Sequence, residues 1–445
     1  MIKTFPKGGI HPQDHKLSAT SEVVPLALPE VVTLPVSQHI GVPATVIVKP
    51  GDVVRTGQVI AESAEFISAS IHSPVSGVVV RTDDFVEPSG LRRTAVLIRR
   101  EGDDWVEEVD RSPELVESFS MSPMEIRSRI ARSGIVGLGG ATFPAQVKLA
   151  FDPRKKVEVL IINAVECEPF LTCDHRLMLE KGPEILTGIR ILMHALQVER
   201  AVVGIEENKP DAIAHLRALA APGPGIQIQP LHMKYPQGSE KQLIKAITGR
   251  EVPSMKLPIE VGAVVFNVAT VFAVYEAVQK NKPLVDRVIT VTGPEVARPG
   301  NFLVRIGTPI SALIEAVGGM PRDTAKVIAG GPMMGKAVKR LDAPVTKGTS
   351  GLLLLPERLS YREEASPCVR CGRCVSVCVM GLEPYLLAAL TNKQMFERAE
   401  GEGIVDCVEC GSCQWTCPSH RPLLDFIRLG KVTVNKRIRA RAAKI

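Results

Sequence analysis

Eight of the ten cysteines fall in two runs that share one spacing: Cys368-x2-Cys371-x2-Cys374-x3-Cys378 and Cys407-x2-Cys410-x2-Cys413-x3-Cys417. Gaps of two residues let a tight loop present three thiolates to three irons of one cubane, and in the bacterial two-cluster pattern the fourth thiolate binds the other cluster. The spacing therefore predicts two [4Fe-4S] clusters with crossed ligands. Their ligand sets are Cys368, Cys371, Cys374 and Cys417 for cluster 1, and Cys407, Cys410, Cys413 and Cys378 for cluster 2. We expect the fourth cysteine of each run to open a helix that points toward the neighbouring site.

Zinc is the alternative partner for these thiolates. Zinc sites favour two cysteine pairs about 15–20 residues apart, or a mixture of cysteine and histidine. Here four cysteines fall within eleven residues, and the pattern occurs twice, which favours iron–sulfur clusters. Val379 stands where a proline usually follows the fourth cysteine, whereas Pro418 keeps that proline, and no ligand is lost.

A second candidate site is the glycine-rich stretch 133–144, which follows a predicted helix at 125–132. Closely spaced glycines let backbone N–H groups approach an anionic or planar ligand. The stretch does not match G-x-G-x-x-G cleanly and does not follow a strand, so it is a weak dinucleotide fingerprint. Taken alone, it could equally be a flexible hinge.

Three further segments carry groups suited to a nucleotide. Residues 163–169 follow a predicted buried strand and place Glu166 and Glu168 at its carboxyl end, where carboxylates can accept hydrogen bonds from ribose hydroxyls. Segments 235–240 and 266–270 offer amide, hydroxyl and glycine groups suited to a flavin ring and its phosphate. Each segment by itself is more typical of an ordinary loop or core strand. The two remaining cysteines, Cys167 and Cys173, are expected to be inert packing residues, since adjacent carboxylates disfavour the Cys167 thiolate.

The elements that position these motifs predict a multidomain α/β protein. Residues 41–82 alternate apolar and polar residues between turn signals and resemble the barrel-sandwich of biotinyl and lipoyl carrier domains. Such carriers need a lysine at a hairpin tip, and residues 62–72 contain none, so we expect this β domain to be structural. Residues 122–275 alternate strands and helices, as in a parallel sheet covered by helices. Residues 286–356 follow the element order of a β-grasp domain.

Composition narrows the class of protein. The 445 residues are 45% apolar and 23% charged, as in folded globular chains, and only 4% are aromatic, which argues against a base-stacking surface for nucleic acid. The basic excess of 54 − 48 = 6 equals the basic residues of a tail at 431–445 (Lys431, Lys436, Arg437, Arg439, Arg441 and Lys444). Such a tail suits an anionic membrane or an acidic partner, or is merely solvated.

No secretory signal is recognised near Met1, and the uncharged run at residues 261–275 is shorter than the roughly 20 residues that span a bilayer. We therefore expect a cytoplasmic protein whose membrane association is peripheral.

Taken together, these motifs resemble one family over nearly the whole chain. The chain is similar to the C subunit of Rnf ion-translocating ferredoxin:NAD oxidoreductases, and its central part is similar to the flavin- and NADH-binding subunit of respiratory complex I. The resemblance is carried by residues 4–12, 137–144, 163–169, 235–240 and 267–270 and by both cysteine runs in order.

The resemblance implies a set of cofactor-binding residues. FMN would be held by Gly137, Gly139, Gly140, Asn163, Tyr235, Gly238, Asn267 and Thr270. NAD(H) would stack near Phe143, Lys148, Glu166, Glu168 and Glu240. Leu138 stands where complex I relatives carry an arginine, so no nucleotide contact is inferred for that side chain. The charge of Glu166 and Glu168 would favour NAD over NADP by repelling a 2′-phosphate.

The resemblance also implies domain boundaries. They are 1–118 for the amino-terminal segment and barrel-sandwich β domain, 119–285 for a Rossmann-like NAD(H)/FMN α/β domain, 286–357 for a soluble-ligand-binding β-grasp domain, 358–430 for a ferredoxin-like α domain with two [4Fe-4S] clusters, and 431–445 for the basic tail.

The implied function is electron transfer between NAD(H), FMN, the two clusters and other subunits of a membrane complex, including an iron–sulfur partner, at the cytoplasmic face of the membrane. A flavin must stand between nicotinamide, which moves electron pairs, and clusters, which accept single electrons. No acid–base side chain is required for this transfer. The alternatives are a related cobalamin reductase and a non-enzymatic iron–sulfur relay that has lost its flavin.

Overall fold

The computed structural model describes residues 2–86, 92–150 and 154–442. Within these ranges the chain forms four sheets, two of them in the amino-terminal part, followed by a parallel sheet, a mixed sheet and a helical carboxyl-terminal part. Across the described residues no helix has both the length and the apolar character that crossing a membrane requires.

The amino-terminal strands form two small antiparallel sheets. The strands are β1 (Val23–Pro25), β2 (Val31–Pro35), β3 (Thr45–Val46), β4 (Val53–Val54), β5 (Val59–Glu62), β6 (Ile71–His72), β7 (Ser76–Val86) and β8 (Arg92–Gly102). The orders are β2-β8-β7-β4 and β3-β5-β6, while β1 joins a later sheet. Alternate residues such as Val32 and Leu34 on β2 are buried in a common core with Val96 and Ile98 on β8, as the period of two requires.

A parallel sheet covered by helices forms the centre of the chain. Its elements are α1 (Pro123–Arg132), α2 (Ala145–Lys148), β9 (Val159–Asn163), α3 (Cys173–Glu180), α4 (Gly182–Leu196), β10 (Ala201–Glu206), α5 (Pro210–Ala220), β11 (Ile226–Leu231), α6 (Glu240–Thr248), a 3-10 turn at Pro258–Val261, β12 (Ala263–Asn267) and α7 (Val268–Gln279). The strand order is β11-β10-β9-β12, with every pair parallel. Gly188 permits the close crossing of α4 and α7, because a Cβ there would lie 2.5 Å from the Val271 carbonyl oxygen. The carboxyl ends of β9 and β12 lie side by side, which is where ligands bind on such sheets.

The mixed sheet follows in the chain. Its elements are β13 (Asp286–Thr292), β14 (Gly300–Arg305), α8 (Ile310–Ala316), β15 (Thr324–Ala329), β16 (Lys336–Ala337) and β17 (Gly351–Pro356). The order is β1-β14-β13-β17-β15-β16; β13 pairs antiparallel with β14 and parallel with β17. The amino-terminal strand β1 pairs parallel with β14, so the start of the chain is built into this sheet.

The carboxyl-terminal part is helical. Its elements are α9 (Glu357–Ser360), α10 (Arg373–Ser376), α11 (Pro384–Asn392), α12 (Phe396–Gly401), a 3-10 turn at Ile404–Asp406, α13 (Ser412–Trp415) and α14 (Leu423–Ala442). The expectation that the fourth cysteines open helices is wrong. Cys378 and Cys417 follow the short helices α10 and α13 and lie in turns, and α11 begins only at Pro384, whose fixed φ suits the first helical turn.

The basic tail continues α14 as far as it is described. Ile427 and Val434 bury one face of this helix, while Lys436, Arg437 and Arg439 are exposed. Lys444 lies outside the described residues.

Candidate functional site

The glycine-rich stretch forms a closed loop at the carboxyl edge of the parallel sheet. The Gly137 N–H donates to the Phe143 carbonyl at 2.9 Å, and the Thr142 N–H donates to the Gly137 carbonyl at 3.1 Å. The Leu138 N–H donates to the buried Thr270 hydroxyl at 2.9 Å, which ties the loop to α7. Thr270, expected to contact flavin, thus holds the loop in place.

The tip of this loop is bare backbone. Gly139 and Gly140 are exposed, and a Cβ on Gly140, which has φ +98°, would meet no heavy atom within 4 Å. A Cβ on Gly139 would lie 3.3 Å from the Asn267 side chain, so this glycine allows the loop to pass close to β12. Within the described residues, neither glycine N–H has a backbone carbonyl partner. The tip can therefore offer N–H groups to a ligand.

Two asparagines end the adjacent strands β9 and β12, where they are paired in register. Asn163 Nδ2 donates to the Gly238 carbonyl at 2.7 Å. Asn267 Oδ1 caps α7 by accepting the Thr270 N–H at 3.4 Å, and its Nδ2 donates to Asp174 at 2.7 Å. These two predicted cofactor residues lie together, and their amides already fix the surrounding loops.

An ion pair forms part of the rim of this region. Lys148 Nζ lies 2.7 Å from a Glu240 carboxylate oxygen and donates to the Val265 carbonyl at 2.8 Å. Both side chains are partly exposed, and Phe143 is half-buried nearby on the same segment as Lys148. Phe143, Lys148 and Glu240 are thus available to a ligand that enters from solvent.

Glu166 and Glu168, which were expected to accept hydrogen bonds from a ribose, already accept backbone N–H groups of the protein. Glu166 accepts the backbone N–H of Asp174 at 2.7 Å, at the start of α3. Glu168 accepts the N–H groups of Met333 and Met334 at 3.0 and 2.8 Å, and so joins the parallel-sheet domain to the loop between β15 and β16.

Burial sets the charge state of these carboxyl groups. Burial raises the pKa of Glu168 to about 7, against the opposing effect of its two N–H donors and of Lys16. Burial, followed by the charge of Glu166, raises the pKa of Asp174 to about 7. Lys16 Nζ donates to the backbone carbonyls of both Glu166 and Glu168, which fixes this loop. The carboxylates of this acidic loop are therefore hydrogen-bonded to the backbone of neighbouring segments.

Cys167 and Cys173 behave as the sequence predicts for packing residues. Cys173 is buried, and burial, then the charges of Glu166 and Asp174, raise the pKa of its thiol. Burial also raises the pKa of the Cys167 thiol. Both thiols therefore stay protonated at neutral pH.

Tyr235 lies between the parallel-sheet domain and the cysteine-rich part. Its ring is buried, and its hydroxyl donates to the Cys410 carbonyl at 2.8 Å. The segment that carries Tyr235 also contains Gly238, which bonds Asn163 at the sheet edge. The second cysteine run is therefore in direct contact with segment 235–240, which is predicted to bind flavin.

The cysteines expected to ligate cluster 2 come together although they belong to different runs. One cavity is lined by Cys378, Cys407, Cys410 and Cys413, with apolar neighbours Leu424 and Ile427. Burial is the largest cause that raises the pKa values of Cys407, Cys410 and Cys413, and the charge of Cys378 raises all three further. The pKa of Cys407 rises to about 11. The Cys378 and Cys407 sulfurs accept backbone N–H groups at 3.3 and 3.4 Å.

The other four cysteines lie nearer to solvent. Cys368 and Cys371 are exposed, whereas Cys374 and Cys417 are half-buried. Burial raises the pKa of Cys374, and the charges of Cys417 and Cys368 raise it further, so these three are also neighbours.

The distances between the cysteine sulfurs can be compared with those of a zinc site. A tetrahedral zinc site with Zn–S bonds of 2.3 Å holds its sulfurs about 3.8 Å apart. Among the described residues, which include all eight clustered cysteines, only Glu166, Cys173 and Asp174 bring three ligand atoms within 4.8 Å of one another. In the part of the chain that the structure describes, no three of the eight clustered sulfurs lie within 4.8 Å of one another.

The opening segment of the chain was not among the predicted site residues, yet it supports the site. A Cβ on Gly8, which has φ +69°, would lie 2.7 Å from the Cys378 backbone, and the Gly9 N–H donates to the Val377 carbonyl at 2.9 Å. Phe5 is buried beneath the Lys234 ammonium, 4.2 Å from its ring. The glycine pair at 8–9 was the available sequence signal for this close approach.

Comparisons with known proteins cover the same regions. The Nuo51 FMN-binding domain matches residues 130–276, the RnfC barrel sandwich hybrid domain matches 3–103, and the SLBB domain matches 288–337. The first two matches agree with the predicted barrel-sandwich and flavin-binding regions.

Curated relatives align along almost the whole chain. The C subunit of the proton-translocating ferredoxin:NAD(+) oxidoreductase complex of Clostridium ljungdahlii is 45% identical over 96% of this chain and 93% of its own length. The C subunit of the Na(+)-translocating complex of Acetobacterium woodii is 42% identical over 96% of each. The C subunit of the ion-translocating oxidoreductase complex of Rhodobacter capsulatus is 43% identical over 97% of this chain and 83% of its length.

Among solved structures, the NAD+-reducing [NiFe]-hydrogenase in the H2-reduced state has a similar fold, with a TM-score of 0.50 and 19% identity over 69% of this chain. The match spans 61% of the hydrogenase chain.

Proposed function

This chain belongs to the family of C subunits of ion-translocating ferredoxin:NAD(+) oxidoreductase complexes, and we propose that it transfers electrons between NAD(H), FMN and two [4Fe-4S] clusters as a peripheral subunit of such a complex. The observation that carries the proposal is the hydrogen bond from Tyr235, in the predicted flavin-binding segment 235–240, to the carbonyl of Cys410 in the second cysteine run.

The residues at the sheet edge suit FMN. The glycine tip at 139–140 is exposed, open and free of backbone carbonyl partners among the described residues. The predicted residues from Gly137 to Thr270 all lie inside the stretch that matches the FMN-binding domain. FMN, when bound, supplies the exchange between electron pairs and single electrons. The tip, Gly238, Asn163 and Asn267 would hold it, and Lys148, Glu240 and Phe143 would meet NAD(H) at the rim.

The cysteines suit two cubanes with crossed ligands. Support comes from the common cavity of Cys378 with Cys407, Cys410 and Cys413, and from the wide sulfur spacing. The chain contributes burial and N–H···S hydrogen bonds at Cys378 and Cys407, and both tune cluster potentials.

We further propose an order for the clusters. Cluster 2 would exchange electrons with the flavin site, because its loop contacts Tyr235. Cluster 1 would exchange them with a partner protein, because Cys368 and Cys371 are exposed. The partner would be an iron–sulfur subunit of the membrane complex, and the chain would sit at the cytoplasmic face.

The domain boundaries expected from the sequence remain part of the proposal. The strand order β14-β13-β17-β15-β16, with β13 and β17 parallel, supports a β-grasp domain at 286–357. The two short helices α10 and α13, each of which carries the third cysteine of its run, support a ferredoxin-like arrangement at 358–430.

Anaerobic spectroscopy tests the proposal. The reconstituted protein should contain about one flavin and about eight iron atoms per chain, four for each cluster, and NADH should bleach both the flavin and cluster absorbance. A protein that holds both clusters and flavin but does not bleach with NADH would contradict it. A flavin-free protein with two clusters would favour a simple electron relay.

A further inference from the structure

An exposed apolar surface lies on the barrel-sandwich domain. The hairpin between β5 and β6 carries Phe66 and Ile67 with exposed fractions of 63% and 39%, and the adjacent loop carries Ile40 and Val42 with 52% and 46%. We call these four side chains the apolar lip. The Val42 N–H donates to the Ile67 carbonyl at 3.0 Å, so the two loops form one surface.

The apolar lip is joined to the glycine-rich loop. The Ile40 N–H donates to the Thr142 carbonyl at 3.2 Å. Gln146 Nε2 donates to the Ser68 carbonyl at 2.9 Å, two residues from Phe66. Gln146 belongs to α2, which ends at Lys148, a predicted NAD(H) contact. The lip therefore borders the nucleotide region from a different domain.

The two sides of this border have complementary chemistry. The glycine tip offers backbone N–H groups, which suit phosphates, and the Lys148–Glu240 ion pair lies at the rim beside it. The lip offers an aromatic ring and aliphatic groups, which suit the face of a planar base. In carrier domains this hairpin bears a lysine, whereas here residues 62–72 contain no lysine and the exposed aromatic Phe66.

We propose that Phe66 stacks on the adenine of bound NAD(H), so that the barrel-sandwich domain completes the dinucleotide site. This inference rests on the proposed function, because it assumes that the glycine loop receives the nucleotide. It adds a binding residue from a domain outside the match to the FMN-binding domain at 130–276.

The test separates adenine binding from electron transfer. ADP-ribose, which lacks nicotinamide, is titrated calorimetrically into the anaerobic holoprotein and its Phe66→Ala variant. Loss of one base–aromatic stack should weaken binding about tenfold, while Phe66→Trp should retain it. Reduced nicotinamide mononucleotide, which lacks adenine, should bleach the wild type and Phe66→Ala at the same concentrations. Val53→Ala, an exposed apolar residue on the other sheet of the same domain, is the matched control.

Two results would overturn the inference. Equal ADP-ribose affinities for wild type and Phe66→Ala would show that Phe66 does not stack on the adenine. Equal losses for ADP-ribose and reduced nicotinamide mononucleotide would show a general structural defect. Failure of the proposed function looks different, since wild type would then bleach with neither NADH nor the mononucleotide.

Discussion

The crossed ligand assignment predicts which cluster is lost when Cys378 is replaced by alanine. The Cys378 sulfur lines the cavity of Cys407, Cys410 and Cys413, and accepts the Leu382 N–H at 3.3 Å. Removing this thiolate leaves three ligands in that cavity. We therefore expect Cys378→Ala to lose cluster 2, although Cys378 belongs to the same run as the ligands of cluster 1.

Iron counts make this prediction quantitative. Two intact clusters hold about eight iron atoms per chain, and Cys378→Ala should hold about four. Adding Cys407→Ala removes a second ligand from the same cluster and should still leave about four. Adding Cys368→Ala instead should remove both clusters. Iron and sulfide are measured after anaerobic reconstitution, and the spin count of the reduced protein gives the number of clusters independently.

The double variants also give the result that would refute the reasoning. If Cys378→Ala with Cys407→Ala loses all iron, while Cys378→Ala with Cys368→Ala keeps about four atoms, each run binds its own cluster. Cys173→Ala serves as the control, because Cys173 is a buried thiol outside both runs and its loss should leave both clusters intact.

Three further perturbations test the contacts around cluster 2 and the acidic loop. Tyr235→Phe removes the hydroxyl that donates to the Cys410 carbonyl at 2.8 Å, and the unpaired carbonyl should destabilise this loop by roughly 1–3 kcal/mol. A chelator should therefore extract iron faster from the variant, and unchanged extraction would contradict this. Burial raises the pKa of Glu168 from 4.5 to about 7, so the folded state keeps the Glu168 proton to higher pH than the unfolded state does. As the pH rises from 6 to 8 the folded state loses this proton, and the free energy of unfolding should fall by about 1 kcal/mol. Glu168→Gln should lack this component in denaturant midpoints, and parallel pH profiles would refute it. Gly8→Ala puts a methyl group 2.7 Å from the Cys378 backbone at φ +69° and should speed iron loss, whereas Gly51→Ala, at φ +94° with open space, should not; equal rates would disprove the contact.

Local patterns were sufficient for most of the elements, and the cluster ligands that they indicate stay predictions. The helix predicted at 125–132 is α1 (Pro123–Arg132), and the buried strand predicted just before residue 163 is β9 (Val159–Asn163). The spacing of apolar residues along the chain indicates which face of a helix or strand is buried, and this spacing is visible within the element itself. Cysteine spacing is local in the same sense, because a loop of two residues determines which thiolates can share a cluster.

Long-range contacts could not be read from the sequence. Glu168, which was expected to accept hydrogen bonds from a ribose, accepts N–H groups from residues 333 and 334, which lie about 165 positions later in the chain, and no local pattern indicates this contact. A carboxylate after a strand indicates a polar site, but it does not identify the loop that covers it. Both carboxylates accept backbone N–H groups. That the charge of Glu166 and Glu168 favours NAD over NADP stays a prediction.

The cluster 2 loop is held by segments from distant parts of the sequence. The opening glycines contact Cys378, Tyr235 bonds Cys410, and a Cβ on Gly411 would lie 3.3 Å from the Met333 carbonyl oxygen. The surroundings of cluster 2 therefore form only when the amino-terminal segment, the parallel-sheet domain and the β15–β16 loop have all assembled. Cluster 1 lacks such cover at its two exposed cysteines. Because solvent exposure is one of the factors that set cluster potentials, we expect this chain to determine the environment of the proposed cluster 2, and the environment of the proposed cluster 1 to change when a partner covers Cys368 and Cys371.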